Sequence, residues 1–327
     1  MGDRSASEPF RLAFFLVPQF SLMAFSAALE PLRQANRLGG RKLYEWHIAS
    51  LDGAAVTASN GIEIKADVPL SGLGKMDMIV VCAGLEPLQY SGNHDLHSRL
   101  RRLARHGCMI GAISTGSFIL AEANLLEDRR STVHWEYMDL FRSRFPKLDV
   151  TPDLYVLDRG VFTCSGGTAA LDMFLQFVGT HSGPELATAI AEQFIHPRIR
   201  EQSDHQRMEL HTRFRLDHPK LVEVIQLMEA SLEDPLDMHA IADEVKLSPR
   251  QLERLFRQHI GVTPSFFYLR LRLERSRTLL RQTTHSILDV ALECGFGSTS
   301  HFSKAYKRAF ARTPSEERAQ PRLSKTH

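Results

Sequence analysis

The chain has 327 residues, of which 43% are hydrophobic and 24% charged, and its formal net charge is +2. The length predicts two domains, and the composition is that of a water-soluble globular protein rather than a disordered or fibrous one. No apolar run reaches the ~18 residues that span a bilayer, and no signal-peptide core is recognisable, so we expect a cytoplasmic protein without a membrane segment. The four cysteines show no CxxC spacing and the histidines form no HxxxH pair. Neither a disulfide framework nor a metal or other cofactor is therefore expected.

The first two hundred residues alternate strand-like and helix-like runs. Apolar or alternating runs predict strands at 11–17, 44–51, 78–84 and 108–113. Helices are predicted at 22–38 and 95–106, and a hairpin-like turn at 59–64. Strands that are apolar on both faces and separated by helices indicate a parallel sheet covered on both sides. We therefore predict an α/β doubly wound, flavodoxin-like domain, whose ligands bind at the carboxyl ends of the strands.

Residues 110–121 are the part of this domain that could form a catalytic or ligand-binding site. A strand is expected to turn sharply at Ser114 into a helix, with the small residues Ala112 and Gly116 on either side, as in a nucleophile elbow. Backbone N–H groups at the start of the new helix favour an anion. Twenty residues further on, His134 is a candidate partner for Ser114.

The elbow can be interpreted as a catalytic site, as a ligand pocket or as a structural turn. A serine nucleophile needs a base and the base needs an orienting acid. Ala112 departs from the glycine of the hydrolase G-x-S-x-G motif, and the hydrolase order of serine, acid and histidine is not evident. We therefore expect a ligand pocket and no catalytic residue. The alternative is an amidase-like or hydrolase-like enzyme that uses Ser114 and His134 and has a regulatory DNA-binding tail.

Residues around the elbow complete the predicted pocket. Trp135 can hold a cation on its ring by a cation–π contact, with Glu136 as counter-charge, or can pack in the core. Glu30 either points into the same pocket or lies on the surface. Cys164 is expected to be a packed thiol, and Phe174, Phe177 and Val178 form core or dimer interface. The predicted ligand-binding residues are Ser114, Thr115, Gly116, His134, Trp135, Glu136 and Glu30.

A repeat occupies the last third of the chain. Residues 248–264 and 298–314 have apolar residues at matching positions, with offsets of 3, 4 and 8 that mark one buried stripe of a helix. The matching pairs are Leu252/Phe302, Leu255/Ala305, Phe256/Tyr306 and Ile260/Phe310. A shorter helix precedes each copy and begins at a good N-cap residue, Asp237 or Ser286. A short helix, a tight turn and a basic helix form the helix-turn-helix plan, in which the second helix lies in the major groove of DNA.

The charge distribution supports this interpretation. Residues 248–318 include thirteen basic and six acidic residues, an excess of seven positive charges in a chain whose total is +2. Such a concentration is typical of a phosphate-binding surface. A helix predicted at 264–281 is ~27 Å long, so it can hold two recognition helices about one DNA turn apart, roughly 34 Å.

The predicted domains are a sensing and dimerisation domain at 10–200, a charged linker at 201–216 and an all-α double helix-turn-helix domain at 217–318, followed by a disordered tail. An architectural DNA-binding protein without a ligand is a third interpretation, which the elbow in the front domain disfavours.

The N-terminal turns of each recognition helix are expected to reach base edges, and positions one turn further on to hold phosphates. The predicted base-reading residues are Arg250, Glu253 and Arg254 in the first unit and Ser300, Ser303 and Lys304 in the second. Arg257 and Lys307 are predicted to hold phosphates.

Residues 217–318 resemble the double helix-turn-helix domain of the AraC/XylS transcription regulators. The resemblance rests on residues 241–242, 247–248, 255–257 and 261–264 of the first unit. In the second unit it rests on Ile287, Phe302 and residues 290–291, 294–296, 305–307 and 313–314. Residues 10–195 resemble the glutamine amidotransferase-like (ThiJ/PfpI) superfamily, through residues 111–116, 120–121, 125–126, 132–135 and 165–172.

The combination is similar to that of the GlxA-like transcription regulators. The resemblance implies a bacterial homodimer that binds double-stranded promoter DNA, acts with RNA polymerase and responds to a small nitrogenous metabolite such as arginine or a betaine-like quaternary amine. The enzymes of the superfamily carry a cysteine at the elbow, where this chain has Ser114. They often have an acidic residue soon after the first strand, where residues 19–23 offer none. Both departures favour a sensor over an enzyme.

Overall fold

The computed structural model describes residues 8–206 and 218–319. The chain divides into two compact units, Met1–Gln206 and Arg207–His327. Residues 201–206, at the start of the predicted linker, are packed on the N-terminal unit through main-chain and side-chain hydrogen bonds. The remainder of the predicted linker, and the tail beyond residue 319, lie outside the described residues.

A seven-stranded sheet forms the centre of the N-terminal unit. The strands in chain order are β1 (Phe10–Leu16), β2 (Tyr44–Ser50), β3 (Val56–Thr57), β4 (Glu63–Ile64), β5 (Val68–Pro69), β6 (Met78–Cys82), β7 (Met109–Ile113), β8 (Arg130–Ser131), β9 (Asp149–Val150), β10 (Tyr155–Asp158) and β11 (Val161–Cys164). The large sheet has the order β10-β11-β7-β6-β1-β2-β5, while β3 with β4 and β8 with β9 form two small pairs. The predicted turn at 59–64 is the β3–β4 hairpin.

The strand pairs of the large sheet are parallel except at one edge. Strands β10 and β11 pair antiparallel and are joined by Arg159 and Gly160, which both have positive φ, of 48° and 80°. This is the turn geometry that matches the twist of a two-residue hairpin. The predicted doubly wound parallel sheet is therefore confirmed, with an antiparallel edge strand that the sequence analysis did not assign.

Helices cover both faces of this sheet. They are α1 (Leu22–Leu38), α2 (His94–Arg105), α3 (Gly116–Glu122), α4 (Met138–Arg144), α5 (Ala169–Ser182) and α6 (Pro184–Gln193). Along β1, Leu12 and Phe14 belong to one core, which α1 and α5 complete, while Ala13 and Phe15 belong to the core on the opposite face. Successive side chains of β1 point to opposite faces of the sheet, and both faces are buried. This is why the strand is apolar throughout.

The open question about α5 is answered by its burial. Phe174 and Val178 are fully buried in the first core, and Phe177 packs against that core. Cys164 is also buried, and burial raises the pKa of its thiol to about 12. Phe174, Val178 and Cys164 belong to the interior of the unit, and Cys164 is the packed thiol that was predicted. Phe177 is half-buried beside this core.

The C-terminal unit is helical. Its helices are α7 (Pro219–Ala230), α8 (Met238–Glu244), α9 (Pro249–His259), α10 (Pro264–Gln282), α11 (Ile287–Glu293), α12 (Thr299–Phe310) and α13 (Pro314–Ala319). The predicted caps are present: Asp237 accepts from two backbone N–H groups of α8, and Ser248 and Ser286 each form a capping box. These local bonds satisfy the otherwise unpaired N–H groups of the first turn and fix where each helix begins.

The two halves of the repeat have separate cores, and α10 belongs to both. Phe256 of α9 packs in the first core together with Phe267 of α10. Phe302 of α12 packs in the second together with Leu280 of α10. The predicted helix at 264–281 is confirmed and ends one residue later. Among the described residues, no helix is long and apolar enough to cross a membrane.

Candidate DNA interface and effector site

The two helix-turn-helix units use the same backbone turn. In the first, Lys246 has φ +57°, and its N–H donates to the Asp243 carbonyl at 3.0 Å. In the second, Gly295 has φ +72°, and its N–H donates to the Leu292 carbonyl at 2.8 Å. The sequence repeat is therefore also a repeat of main-chain geometry.

The predicted DNA-binding side chains lie on the outer faces of α9 and α12. On α9 the stripe around Leu252 and Phe256 is buried against α8 and α10. The exposed predicted residues are Arg250, Glu253, Arg254, Arg257, Ser300, Lys304 and Lys307, and Ser303 is half-buried. Because α12 repeats the arrangement, both units expose a polar surface on the second helix. Contact of this surface with a DNA groove, and its division into base readers and phosphate contacts, stay predictions.

An ion pair on α9 joins two residues that were assigned to different parts of DNA. The Arg257 guanidinium donates to Glu253 Oε1, from Nη2 at 2.9 Å and from Nε at 3.2 Å. Residues four apart on a helix are neighbours, so the spacing alone could have revealed this pair. In the protein without DNA, Arg257, the predicted phosphate contact, is therefore bonded to Glu253, the predicted base reader.

A buried carboxylate uses several of the basic residues internally. Glu317 of α13 is fully buried and faces Arg277, Arg281 and Arg312, with Arg281 Nη2 2.6 Å from its Oε1. Burial raises the pKa of Glu317, but the hydrogen bond and charge of Arg281 and the charge of Arg277 bring it below its usual range. Three of the thirteen basic residues and one of the six acidic residues counted in 248–318 are thus engaged with one another, and together they account for two of the seven excess positive charges.

The turn predicted at Ser114 is present at the carboxyl edge of the large sheet. Ser114 lies between β7 and α3 with φ +61°, is only 7% exposed, and donates its N–H to the Cys164 carbonyl at 2.8 Å. Gly166 lies so close that an added Cβ would be 2.9 Å from Ser114 Cβ. The strained backbone is held by β11 and by the glycine that follows it.

The two residues after Ser114 are explained by packing. The Thr115 hydroxyl is buried and donates to the Gly84 carbonyl at 2.7 Å. A Cβ on Gly116 would lie 2.6 Å from the Val81 carbonyl oxygen, so a larger residue does not fit there. Thr115 and Gly116 therefore shape the elbow by packing, and Ser114 carries the hydroxyl that could interact with a ligand.

The segment that carries His134 is anchored on both sides of the elbow. The Thr132 N–H donates to Thr163 Oγ1 of β11 at 2.8 Å, and Ser117 Oγ of α3 donates to the Thr132 carbonyl at 2.7 Å. His134 Nδ1 accepts the N–H of Glu136 at 3.3 Å, which leaves the ring proton on Nε2 in the neutral form. Burial lowers the pKa of His134, so the neutral form is favoured.

Trp135 is next to His134 at the surface. Its side chain is 44% exposed, and its ring centroid is 5.5 Å from that of His134, with the planes inclined by 35°. The interpretation of Trp135 as a core residue is therefore wrong, since a core residue would be buried. Glu136 is exposed beside it.

Glu30 is explained by its own helix. Its carboxylate accepts from Arg33 Nη2 at 2.6 Å and from Nε at 2.8 Å, one turn along α1. In residues 8–206 as described, no hydrogen bond or ion pair connects Glu30 to the other predicted pocket residues. Likewise, no hydrogen bond joins Ser114 to His134 in that part of the chain, and no group of three or more His, Cys, Asp or Glu side chains among the described residues is placed to hold a metal ion.

Sequence reasoning missed a strap, residues 196–206, that follows α6. The buried Asp172 carboxylate accepts from His196 Nε2 at 2.8 Å, from the Arg200 N–H at 2.8 Å and from Arg200 Nε at 2.9 Å. At the end of the strap, Gln206 Nε2 donates to Thr132 Oγ1 at 2.9 Å and to the Val133 carbonyl at 3.1 Å. These contacts join residues far apart in sequence, and no local pattern signals them.

Comparisons with known proteins match both domains of the chain. Residues 11–180 match the model of the DJ-1/PfpI family, and residues 241–320 match that of a helix-turn-helix domain. The HTH-type transcriptional regulator CdhR of Pseudomonas aeruginosa is 47% identical over 306 residues, which cover 94% of this chain and 90% of the relative. The HTH-type transcriptional regulator GlxA of Rhizobium meliloti is 40% identical over 305 residues, which cover 93% and 94%.

A solved structure is similar to more than half of the chain. The AraC family transcriptional regulator from Pseudomonas putida is 30% identical, with a TM-score of 0.53, and the match covers 57% of this chain and all of that one. A sheet domain followed by two helix-turn-helix units defines a transcription regulator in which one polypeptide carries both the front domain and the DNA-binding domain. The chain belongs to the GlxA-like HTH-type transcriptional regulators, which join a DJ-1/PfpI domain to an AraC-type DNA-binding domain.

Proposed function

We propose that the N-terminal unit of this regulator binds a small nitrogenous metabolite, and that binding changes how a homodimer engages promoter DNA and RNA polymerase. The proposal rests on the arrangement of Ser114 and His134 at the elbow. The strained serine of an enzyme-like site is retained, while the groups that would activate it are otherwise engaged. A pocket of this kind binds a ligand without transforming it.

Three features support binding over catalysis. Ser114 occupies the position at which the enzymes of the superfamily carry a cysteine, and a hydroxyl is a weak nucleophile unless a base activates it. The Nδ1 atom of His134 already accepts a backbone N–H, so the free nitrogen, Nε2, is a donor and not a base. An orienting carboxylate, which the mechanism of a serine hydrolase requires, is not bonded to His134 among the described residues.

The side chains around the elbow favour an effector with a cation and a hydrogen-bond acceptor. The half-exposed face of Trp135 suits a quaternary ammonium or guanidinium group, which aromatic rings attract through their quadrupole. The Nε2–H group of His134 and the hydroxyl of Ser114 can donate to a carboxylate. Betaines and arginine carry both groups, in agreement with the effector class that the family resemblance implies.

The strap provides a route from the effector site to the linker. Gln206, the last described residue of the unit, bonds to Thr132 and Val133, directly before His134. An effector that moves the His134 segment therefore changes the position from which the chain leaves the unit. The effector must bind one arrangement better than the other, because equal affinity would shift nothing.

Tryptophan fluorescence tests the effector site. The chain has two tryptophans, Trp46 and Trp135, so a Trp46→Phe variant emits from Trp135 alone. Glycine betaine or L-arginine should change that emission and raise the melting temperature, because a ligand that binds the native state stabilises it. The matched Trp135→Phe variant should show no change in emission. A ligand that raises the melting temperature while Trp135 emission stays constant would place the effector elsewhere.

The enzyme alternative is tested by turnover. The wild type should hydrolyse no amide or ester faster than a Ser114→Ala variant does, and that variant should fold normally and bind the effector more weakly, because it loses one donor. Hydrolysis that disappears in Ser114→Ala would mean that the elbow is catalytic. Hydrolysis by both proteins at the same rate would indicate a contaminant.

A further inference from the structure

The two helix-turn-helix units touch each other directly, in addition to sharing α10. Gly295, in the turn of the second unit, lies against the loop between α7 and α8 of the first. A Cβ added at Gly295 would be 2.3 Å from Pro235 Cγ and 2.8 Å from the Leu232 carbonyl oxygen. Real side chains do not approach backbone so closely, so the contact requires a residue without a side chain.

The internal repeat shows that this contact, rather than the turn itself, requires glycine. The equivalent position in the first unit is Lys246, which adopts nearly the same positive φ and makes the same turn hydrogen bond. A left-handed backbone is therefore compatible with a side chain in this fold, at a modest cost in strain. The difference is that Lys246 is exposed, whereas Gly295 is pressed against Pro235.

Two side chains of α10 hold the same junction. Arg272 donates from Nε to the Cys294 carbonyl at 2.8 Å and from Nη2 to the Gly295 carbonyl at 2.6 Å. Its guanidinium carbon lies 4.3 Å from the centre of the Phe296 ring. One turn earlier, the Tyr268 hydroxyl donates to the Ser231 carbonyl, in the loop that contacts Gly295, at 2.5 Å. Helix α10 is thus bonded to the turn of one unit and to the loop of the other.

We propose that these contacts form a register lock, made by Pro235, Tyr268, Arg272 and Gly295, that holds the two helix-turn-helix units as one rigid body. The protein then accepts a single spacing between the two DNA segments that it reads. Arg272 and Gly295 are positioning residues for recognition and need not contact a base. The inference rests on the DNA-binding function and extends it to the geometry of the target site.

The test begins with DNA that the full-length wild type selects from a random pool, in which footprinting locates the two contacted segments. One base pair inserted between them moves the segments apart by about 3.4 Å and rotates one by about 35°. A locked domain then loses the base contacts of one unit. We expect the insertion to lower wild-type affinity at least ~10-fold.

Two variants release the lock in different ways. Arg272→Lys keeps the positive charge, but a lysine cannot donate to two carbonyls in a planar fork while lying flat on Phe296. Gly295→Ala drives a methyl group into Pro235. In both, the ratio of affinities for selected and inserted DNA should fall to within about threefold, because the units can move relative to each other.

Two glycine variants are matched controls. Gly261→Ala introduces the same methyl group at a positive φ of 81° with open space around it, and the equivalent residue of the second unit is Ala311, at φ 58°. Gly297→Ala places the methyl group two residues from Gly295, also in open space. Both should keep the wild-type spacing penalty.

The outcomes separate the proposals. If the wild type binds both spacings equally, the two units are not held as one rigid body and there is no lock. If Arg272→Lys and folded Gly295→Ala keep the full penalty, there is no lock either, and the shared helix alone sets the geometry. If Gly295→Ala fails to fold by circular dichroism, Arg272→Lys decides. If the wild type selects no DNA at all, the DNA-binding function itself fails, and the lock fails with it.

Discussion

Replacing Glu253 by alanine separates base reading from phosphate binding on the first recognition helix. Glu253 is predicted to accept from a cytosine amine, yet in the free protein its carboxylate holds Arg257 through two hydrogen bonds. On this assignment the variant removes a base contact and a negative charge near the phosphates, and it releases the Arg257 side chain from its ion pair. Affinity for a specific site and affinity for any DNA should therefore change in opposite directions.

The magnitudes follow from exposure. The side chain of Glu253 is 51% exposed and that of Arg257 is 65% exposed. Exposed ion pairs of this spacing contribute only ~0.3–0.5 kcal/mol to stability. The fold should thus be unaffected. Loss of the cytosine contact should cost ~1–3 kcal/mol of discrimination. A released Arg257 that binds one more phosphate should steepen the slope of log affinity against log salt by about 0.9.

The assay is a titration of selected and scrambled DNA at several salt concentrations. Glu274→Ala is the matched control, because Glu274 is also 51% exposed and lies four residues from an arginine, Arg270, at 3.9 Å, but on α10 rather than on a recognition helix. It should change both affinities alike. If Glu253→Ala weakened both DNAs equally, or behaved as Glu274→Ala does, the assignment of Glu253 to a base would be wrong.

The other predictions concern the remaining roles. Arg254→Ala should cost ~1–3 kcal/mol on selected DNA and relax preference at one base pair, whereas Lys307→Ala should weaken binding to all sequences and lower the salt slope by about one; equal effects on both DNAs for Arg254→Ala would contradict its role. A fragment ending at Gln206 should be dimeric at micromolar concentration by light scattering, and a monomer would contradict the homodimer. Because burial lowers the pKa of His134, protonation of its ring favours the unfolded state. The contribution of neutral His134 to the free energy of unfolding should therefore be fully present above pH ~6.5 and decrease as the pH falls below that value. His134→Gln should make urea unfolding, followed by tryptophan fluorescence, less dependent on pH between ~7.5 and ~5.5; an unchanged dependence would assign the effect to another group.

Local signals determined what the sequence could predict. Helix α1 begins and ends where expected because Ser21 caps its first turn and Gly39 follows its last residue. The helix-turn-helix units were recognisable because caps, turns and buried stripes all repeat within short distances. The Arg257–Glu253 pair was also within reach of a spacing argument, since it spans four residues.

Contacts between distant segments could not be predicted in the same way. Arg200 meets Asp172 across 28 residues, and Gly295 meets Pro235 across 60. Such pairs depend on how helices and strands are placed in space, and neither residue type is unusual in its local sequence. Charge counting predicted a DNA-binding domain but could not say which arginines face DNA, because composition does not distinguish them from an arginine that faces Glu317.

The strain at Ser114 bears on the choice between a structural turn and a binding site. A non-glycine residue in a sparsely populated backbone region costs ~1–3 kcal/mol and persists where the surroundings hold it. Here the surroundings constrain another position as well, because a Cβ at Gly166 would clash with Ser114. A glycine at position 114 would make the same turn with less strain, so the turn does not explain the serine. Because His134 is placed as a donor rather than a base, this observation supports the proposal that the Ser114 hydroxyl binds an effector.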